Sequence, residues 1–175
     1  MPLGNEKQFK TQTINGNLFY KIHNRQYIMS SIRKQITVPY TADQMYDLVY
    51  DINSYSKFIP LCSSSEVHEE RDHQSRATMK VAKGNIGFEV STVNTMEKGR
   101  SISINLENGP FKSLKGVWRF TPLGTHQCIV SLHFEFEFSN KLLDVALGGL
   151  FKQLCDSMVE SFRKQAAIRY GARQT

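Results

Sequence analysis

Residues 140–170, NKLLDVALGGLFKQLCDSMVESFRKQAAIRY, decide the fold. Within them Leu143, Leu147, Leu150, Phe151, Leu154, Met158, Phe162 and Ala166 form one continuous stripe at helical spacing, the mark of an amphipathic helix. Lys141, Lys152, Glu160, Arg163, Lys164 and Arg169 lie largely off it. At a rise of about 1.5 Å per residue the stretch makes a rod of roughly 45 Å, long for a small domain. Nearly everything upstream has the two-residue period of strands. The sequence therefore predicts an α+β fold, a curved antiparallel sheet wrapped around a long C-terminal helix.

Working back from that helix, the clearest strand is the one before it. Val130, Leu132, Phe134, Phe136 and Phe138 alternate with Ile129, Ser131, His133, Glu135 and Glu137, and Ser139 is placed to cap the helix. Leu114, Gly116, Trp118 and Phe120 share a face after the breaker Asn108-Gly109-Pro110. Ile102, Ile104 and Leu106 follow the turn Lys98-Gly99-Arg100. Ala77, Met79 and Val81 mark one strand and Phe88, Val90 and Thr92 the next, with Asn85 and Gly87 between them supplying turn chemistry. Near the front, Ile32, Lys34, Ile36 and Val38 mark a first strand ending at Pro39. Thr41 then sits as an N-cap with Asp43 in the first turn, and Met45, Leu48, Val49 and Ile52 form the buried side of a short helix.

The chain of 175 residues is long enough to bury one sizeable core, and no second domain is needed. Residues 1–28 are polar and weakly patterned and read as an extension, with Phe19, Tyr20, Ile22 and Tyr27 as a candidate docking strand; 29–175 read as the domain. The formal charge is +6, but 29–175 hold 18 Lys/Arg against 15 acids. So mild an excess gives no ground for DNA as a partner. Cys62, Cys128 and Cys155 are odd in number and lack CxxC spacing, which predicts free thiols of a reducing compartment rather than disulfides or structural zinc. With no long apolar run, the expected location is the cytoplasm.

Chemistry is sparse. His133, Glu135 and Glu137 share a strand face, but the opposite face carries three Phe and must point inward, so the triplet reads as solvated outer surface and no metal site is expected. No nucleophile-base order and no phosphate-binding glycine fingerprint is present. Gly148-Gly149, costly inside a helix, marks a kink or a close approach of the backbone. The informative feature is the inward aromatic inventory: Phe58, Phe88, Trp118, Phe120, Phe134, Phe136 and Phe151 all aim between sheet and helix. The pattern admits either an ordinary packed core or a ligand cavity.

The runs Val38-Pro39-Tyr40-Thr41-Ala42-Asp43, Phe58-Ile59-Pro60-Leu61-Cys62, and above all Asn108-Gly109-Pro110-Phe111-Lys112-Ser113-Leu114-Lys115-Gly116-Val117-Trp118-Arg119-Phe120, resemble the coenzyme Q-binding, polyketide cyclase-like branch of the START-related proteins, including its bacterial ribosome-association toxins. The resemblance covers about Ser31 to Tyr170 and departs from the common pattern at Ser56 and at Gly148-Gly149. It implies a helix-grip fold with a hydrophobic cavity that needs no cofactor for chemistry and holds ubiquinone or a similar isoprenoid lipid, supporting respiration. The inward aromatics together with Val90, Leu147, Leu154 and Met158 would then contact the ligand. It equally implies an alternative, binding to the large ribosomal subunit so that its joining to the small subunit is blocked, for which Lys80, Lys83, Lys112, Lys115 and Arg119 are the candidate patch, shared with peripheral membrane contact. A cyclase enzyme is a third reading, and no acid-base pair in the sequence supports it.

Overall fold

The computed structural model describes residues 29–173 and the backbone of two short strands, β1 (Lys10–Ile14) and β2 (Asn17–Lys21). These pair with each other as a separate antiparallel sheet, Lys10 opposite Lys21. Phe19 and Tyr20 of the expected docking strand fall in β2; Ile22 and Tyr27 lie outside the described residues.

The domain then runs β3 (Ser30–Val38), α1 (Ala42–Tyr50), a 3-10 turn (Ile52–Lys57), β4 (Cys62–Arg71), β5 (Gln74–Lys83), β6 (Ile86–Glu97), β7 (Ser101–Asn108), β8 (Phe111–Leu123), β9 (Gln127–Phe138) and α2 (Lys141–Tyr170). The seven strands from β3 onward form one antiparallel sheet in the order β3-β9-β8-β7-β6-β5-β4. α1 and the 3-10 turn carry the chain from one edge of this sheet to the other. The helix α2 lies across the concave face, which makes the architecture a helix-grip fold.

Local chemistry explains the element boundaries. Pro39 stops β3, and Thr41 opens α1 with a capping box: its Oγ1 accepts from the Gln44 N–H at 3.2 Å while Gln44 Oε1 accepts from the Thr41 N–H at 3.0 Å. The cap of α2 is Asn140 rather than Ser139, its Oδ1 accepting from the Leu143 N–H at 3.0 Å. The β5–β6 turn is Gly84-Asn85, with Gly84 supplying φ +58°, whereas Gly87 stands inside β6 opposite Ala82. Every second residue of β9 from Cys128 to Phe138 is buried, as the alternation predicts. β8 is less simple. A register shift between Phe111 and Ser113 lets Phe111 turn inward alongside Leu114, Trp118 and Phe120. α2 runs as one helix through Gly148 and Gly149; a Cβ on Gly149 would meet open space, whereas one on Gly148 would stand 3.2 Å from Asp144 Oδ1 and 3.8 Å from Phe138 Cε2 of β9, so of the pair only Gly148 comes near the sheet. Among the described residues no helix is long and apolar enough to cross a membrane.

Candidate functional site

Aromatic rings plug the gap between sheet and helix at two places. Near the start of α2, Phe111 stacks on Phe138 at 4.6 Å between centroids, and Phe151 packs on Phe136 at 4.8 Å and on Phe111 at 5.0 Å. Farther along, Phe162 meets Tyr55 at 5.2 Å and both Phe58 and Trp118 at 5.3 Å. Each such edge or stacked pair contributes roughly 0.5–1.5 kcal/mol beyond area burial. Between the plugs the inner sheet face carries shorter side chains, Ala77, Val90, Thr92, Ile102 and Ile104, and these leave a cavity.

The cavity has a volume of about 70 Å³. That is room for about five waters, roughly one substituted ring, and well short of the ~300 Å³ at which drug-sized pockets begin. Its wall comes from β5 to β9, from Val49, Ile52 and Tyr55 on the α1 side, and from Phe151, Leu154 and Met158 on α2. Of the sequence candidates, Val90, Trp118, Phe134, Phe151, Leu154 and Met158 are brought together in this wall. The others fill space instead of lining it. Phe58 belongs to the Phe162 plug, Phe88 sits on Phe111 and Phe151, Phe120 edges onto Tyr46, Phe136 joins the Phe151 plug, and Leu147 is buried outside the wall.

Sequence reasoning missed Asn94. It is 3 % exposed and lines the cavity at the inward phase of β6, two residues beyond Thr92. Thr92 Oγ1 donates to Asn94 Oδ1 at 3.1 Å, and Asn94 Nδ2 donates to Ser75 Oγ at 3.4 Å on the neighbouring strand. The signal lay in the period: a polar amide where Phe88 and Val90 had set an apolar face.

The wall holds a single ionisable group, Tyr55, whose hydroxyl donates to the Val49 carbonyl oxygen and whose pKa is pushed far up by burial. It cannot serve as a base near neutral pH, and no partner acid stands beside it in the wall. The three thiols are buried and displaced upward, mainly by desolvation, with Cys128 at about 11. Among the described residues no group of three His, Cys, Asp or Glu could hold a metal ion.

The five basic candidates do not converge. Lys112, Lys115 and Arg119 stand on β8, while Lys80 and Lys83 stand on β5, three strand spacings or about 14 Å away. Lys83 also sits at the inward phase at the end of β5 and donates to Gln153 Oε1 of α2 at 3.0 Å. Lys80 pairs with Glu89 at 3.3 Å, Lys112 with Glu137 at 3.0 Å, and Lys115 lies opposite Glu135 in register. The outer sheet face is therefore a mixed charge lattice. Positive charge does gather around His133, which bonds Ser31 Oγ at 3.1 Å and lies in the fields of Arg33 and Arg119.

Comparison with known proteins agrees with this architecture. The chain is 42 % identical over 146 residues to the ribosome association toxin RatA of Escherichia coli K12, covering 83 % of this chain and 92 % of that protein. It is 28 % identical over 144 residues to the mitochondrial coenzyme Q-binding protein COQ10 homolog B of Xenopus laevis, covering 77 % of this chain and 57 % of that one. The crystal structure of the Zhui aromatase/cyclase from Streptomyces sp. R1128 superposes with a TM-score of 0.73 at 16 % identity, covering 81 % of this chain and 96 % of that chain, which supports the fold alone. The family model described as polyketide cyclase / dehydrase and lipid transport matches residues 38–163, and the chain belongs to that family.

Proposed function

We propose that this chain works by binding rather than by making or breaking bonds, associating with the ribosome as a toxin of subunit joining. The observation that carries this reading is the 42 % identity, over nearly the whole domain, to a protein named for ribosome association. The absence of an acid-base pair from the cavity wall favours binding over a cyclase reaction. On sucrose gradients at low salt the protein should comigrate with large ribosomal subunits, and its overproduction should raise free subunits at the expense of joined ribosomes. A profile with the protein only at the top of the gradient at low salt would reject the reading.

A second reading concerns the cavity, and its own observation is the apolar chamber between the two aromatic plugs. We infer that it takes ubiquinone or a related isoprenoid lipid; the relative named as a coenzyme Q-binding protein supports this. Burying apolar ligand surface would contribute about 25 cal/mol per Å². A volume of about 70 Å³ suits a head ring, so a long tail must extend beyond it. Organic extraction of purified protein with mass spectrometry, followed by quinone titration, tests it: recovery of lipid and saturable binding are expected, and finding neither would reject the ligand.

A further inference from the structure

We propose that Asn94 is the polar end of the cavity and reads a carbonyl on the ligand, so that the chamber selects an apolar ring ketone or quinone over a hydrocarbon of the same shape. The inference rests on the ligand reading above and narrows it to one chemical class.

Three observations meet at this residue. It is 3 % exposed yet forms part of the cavity wall, in a strand face that Phe88, Val90 and Met96 make apolar apart from Thr92, its hydrogen-bond partner. Burying an amide at such a position costs about 1–3 kcal/mol unless hydrogen bonds compensate. Its bonds are only half used: Oδ1 accepts from Thr92 Oγ1 at 3.1 Å, and one N–H is directed to Ser75 Oγ at the long distance of 3.4 Å. An amide nitrogen has two N–H groups, so one remains for an acceptor inside the chamber. Ser75 in turn is 5 % exposed and donates to Met96 Sδ at 3.8 Å, which leaves its oxygen lone pairs turned to Asn94 and fixes the amide. No cation reaches this end of the wall, so a neutral carbonyl fits where a carboxylate would be buried unpaired.

The test uses tetramethyl-p-benzoquinone and tetramethylbenzene, which share a skeleton and differ in the carbonyls; full substitution prevents addition of the quinone to thiols. Trp118 is the single tryptophan and lines the cavity, so its quenching reports quinone binding, and displacement of the quinone reports the hydrocarbon. The wild-type protein should prefer the quinone by about tenfold, the value of one buried hydrogen bond. Asn94→Leu should abolish that preference by weakening quinone binding while leaving hydrocarbon binding unchanged or tighter. Thr92→Val, a milder change, should reduce the preference two- to threefold. In the infrared, one carbonyl stretch of the bound quinone should shift to lower frequency in the wild type alone. Equal binding of the two probes by wild type overturns the Asn94 proposal and leaves an apolar cavity standing, as does an unaltered preference in Asn94→Leu. Binding of neither probe overturns both the proposal and the ligand reading.

Discussion

At the scale of single residues, the cavity depends on an absence. Gly116 in β8 lies directly opposite Phe134 in β9, and a Cβ there would stand 2.6 Å from Phe134 Cδ1, far inside contact distance. The ring therefore lies over the glycine, as aromatics do over a bare backbone in a sheet. Gly116→Ala must push Phe134 into the chamber. We expect a loss of about 1–3 kcal/mol by urea denaturation, as for other overpacked cores, together with loss of quinone quenching of Trp118. His133 gives the pH counterpart. Partial burial first, then the positive field of Arg33, hold its pKa below the ordinary histidine value despite Glu135 at 3.8 Å. A histidine with a depressed folded pKa binds fewer protons folded than unfolded, so it favours unfolding once pH falls below the unfolded value of about 6.5. His133→Gln can still bond Ser31 and should flatten the fall in melting temperature between roughly pH 7 and 5. An unchanged pH slope would show that other groups carry it.

At the scale of elements, α2 is held by its apolar stripe and by one ionic strut. Asp156 bridges Lys34 of β3 and Lys152 of its own helix, both at 2.7 Å; burial raises its pKa, but bonds to the two lysines outweigh this and leave it depressed. That stabilisation is present above the normal carboxylate range and is lost as pH falls through the lower folded value. The carboxylate is about a third exposed, so Asp156→Asn should cost only about 0.5–1 kcal/mol in chemical denaturation. Gly149→Ala should go the other way, raising stability by about 0.5–1 kcal/mol, because the added methyl meets open space in an unbroken helix. The helix and the sheet phases were legible in the sequence because uninterrupted pairing preserves period: β9 and β3 alternate without a slip. Phe111 was not, since the shift after it reverses the phase of β8. Nor was the distinction between rings that line and rings that plug. That depends on which rings meet across strands, as Phe111, Phe136 and Phe138 do around Phe151, and inward phase alone does not contain it. Asn94 was readable as a polar residue in an apolar phase, but its worth became visible only beside Ser75 and an unfilled chamber.

At the scale of the whole molecule, the question is where a net positive charge can act. On the sheet's outer face Lys80, Lys112 and Arg76 are answered by Glu89, Glu137, Glu69 and Glu107, so a polyanion meets little net field beside them. The far end of α2 is different. No acidic residue follows Glu160 in the chain, and although the field of Asp47 on α1 reaches Tyr170, Lys164, Arg169 and Arg173 are all exposed here and leave an excess of positive charge. Arg169 lies 5.6 Å from the centre of the Tyr170 ring and Arg173 lies 5.5 Å from that of Tyr40, so aromatic faces hold both guanidinium groups out at the surface. Tyr40 also donates to the Gly171 carbonyl at 2.9 Å and Tyr170 to that of Gln44 at 3.2 Å, which anchors this end to α1. If ribosome association is electrostatic, this end should carry it. Reversing Lys164, Arg169 and Arg173 to Glu should remove comigration with large subunits at low salt. Reversing only two of them should lower the slope of log affinity against log salt by about 0.7–0.9 for each phosphate that is no longer neutralised. The reversal of Lys80 and Lys115 should change gradient profiles little, because Glu89 and Glu135 stand against them. The opposite pattern, with comigration abolished only in the sheet variant, would place the ribosome on the convex face despite its balanced charge.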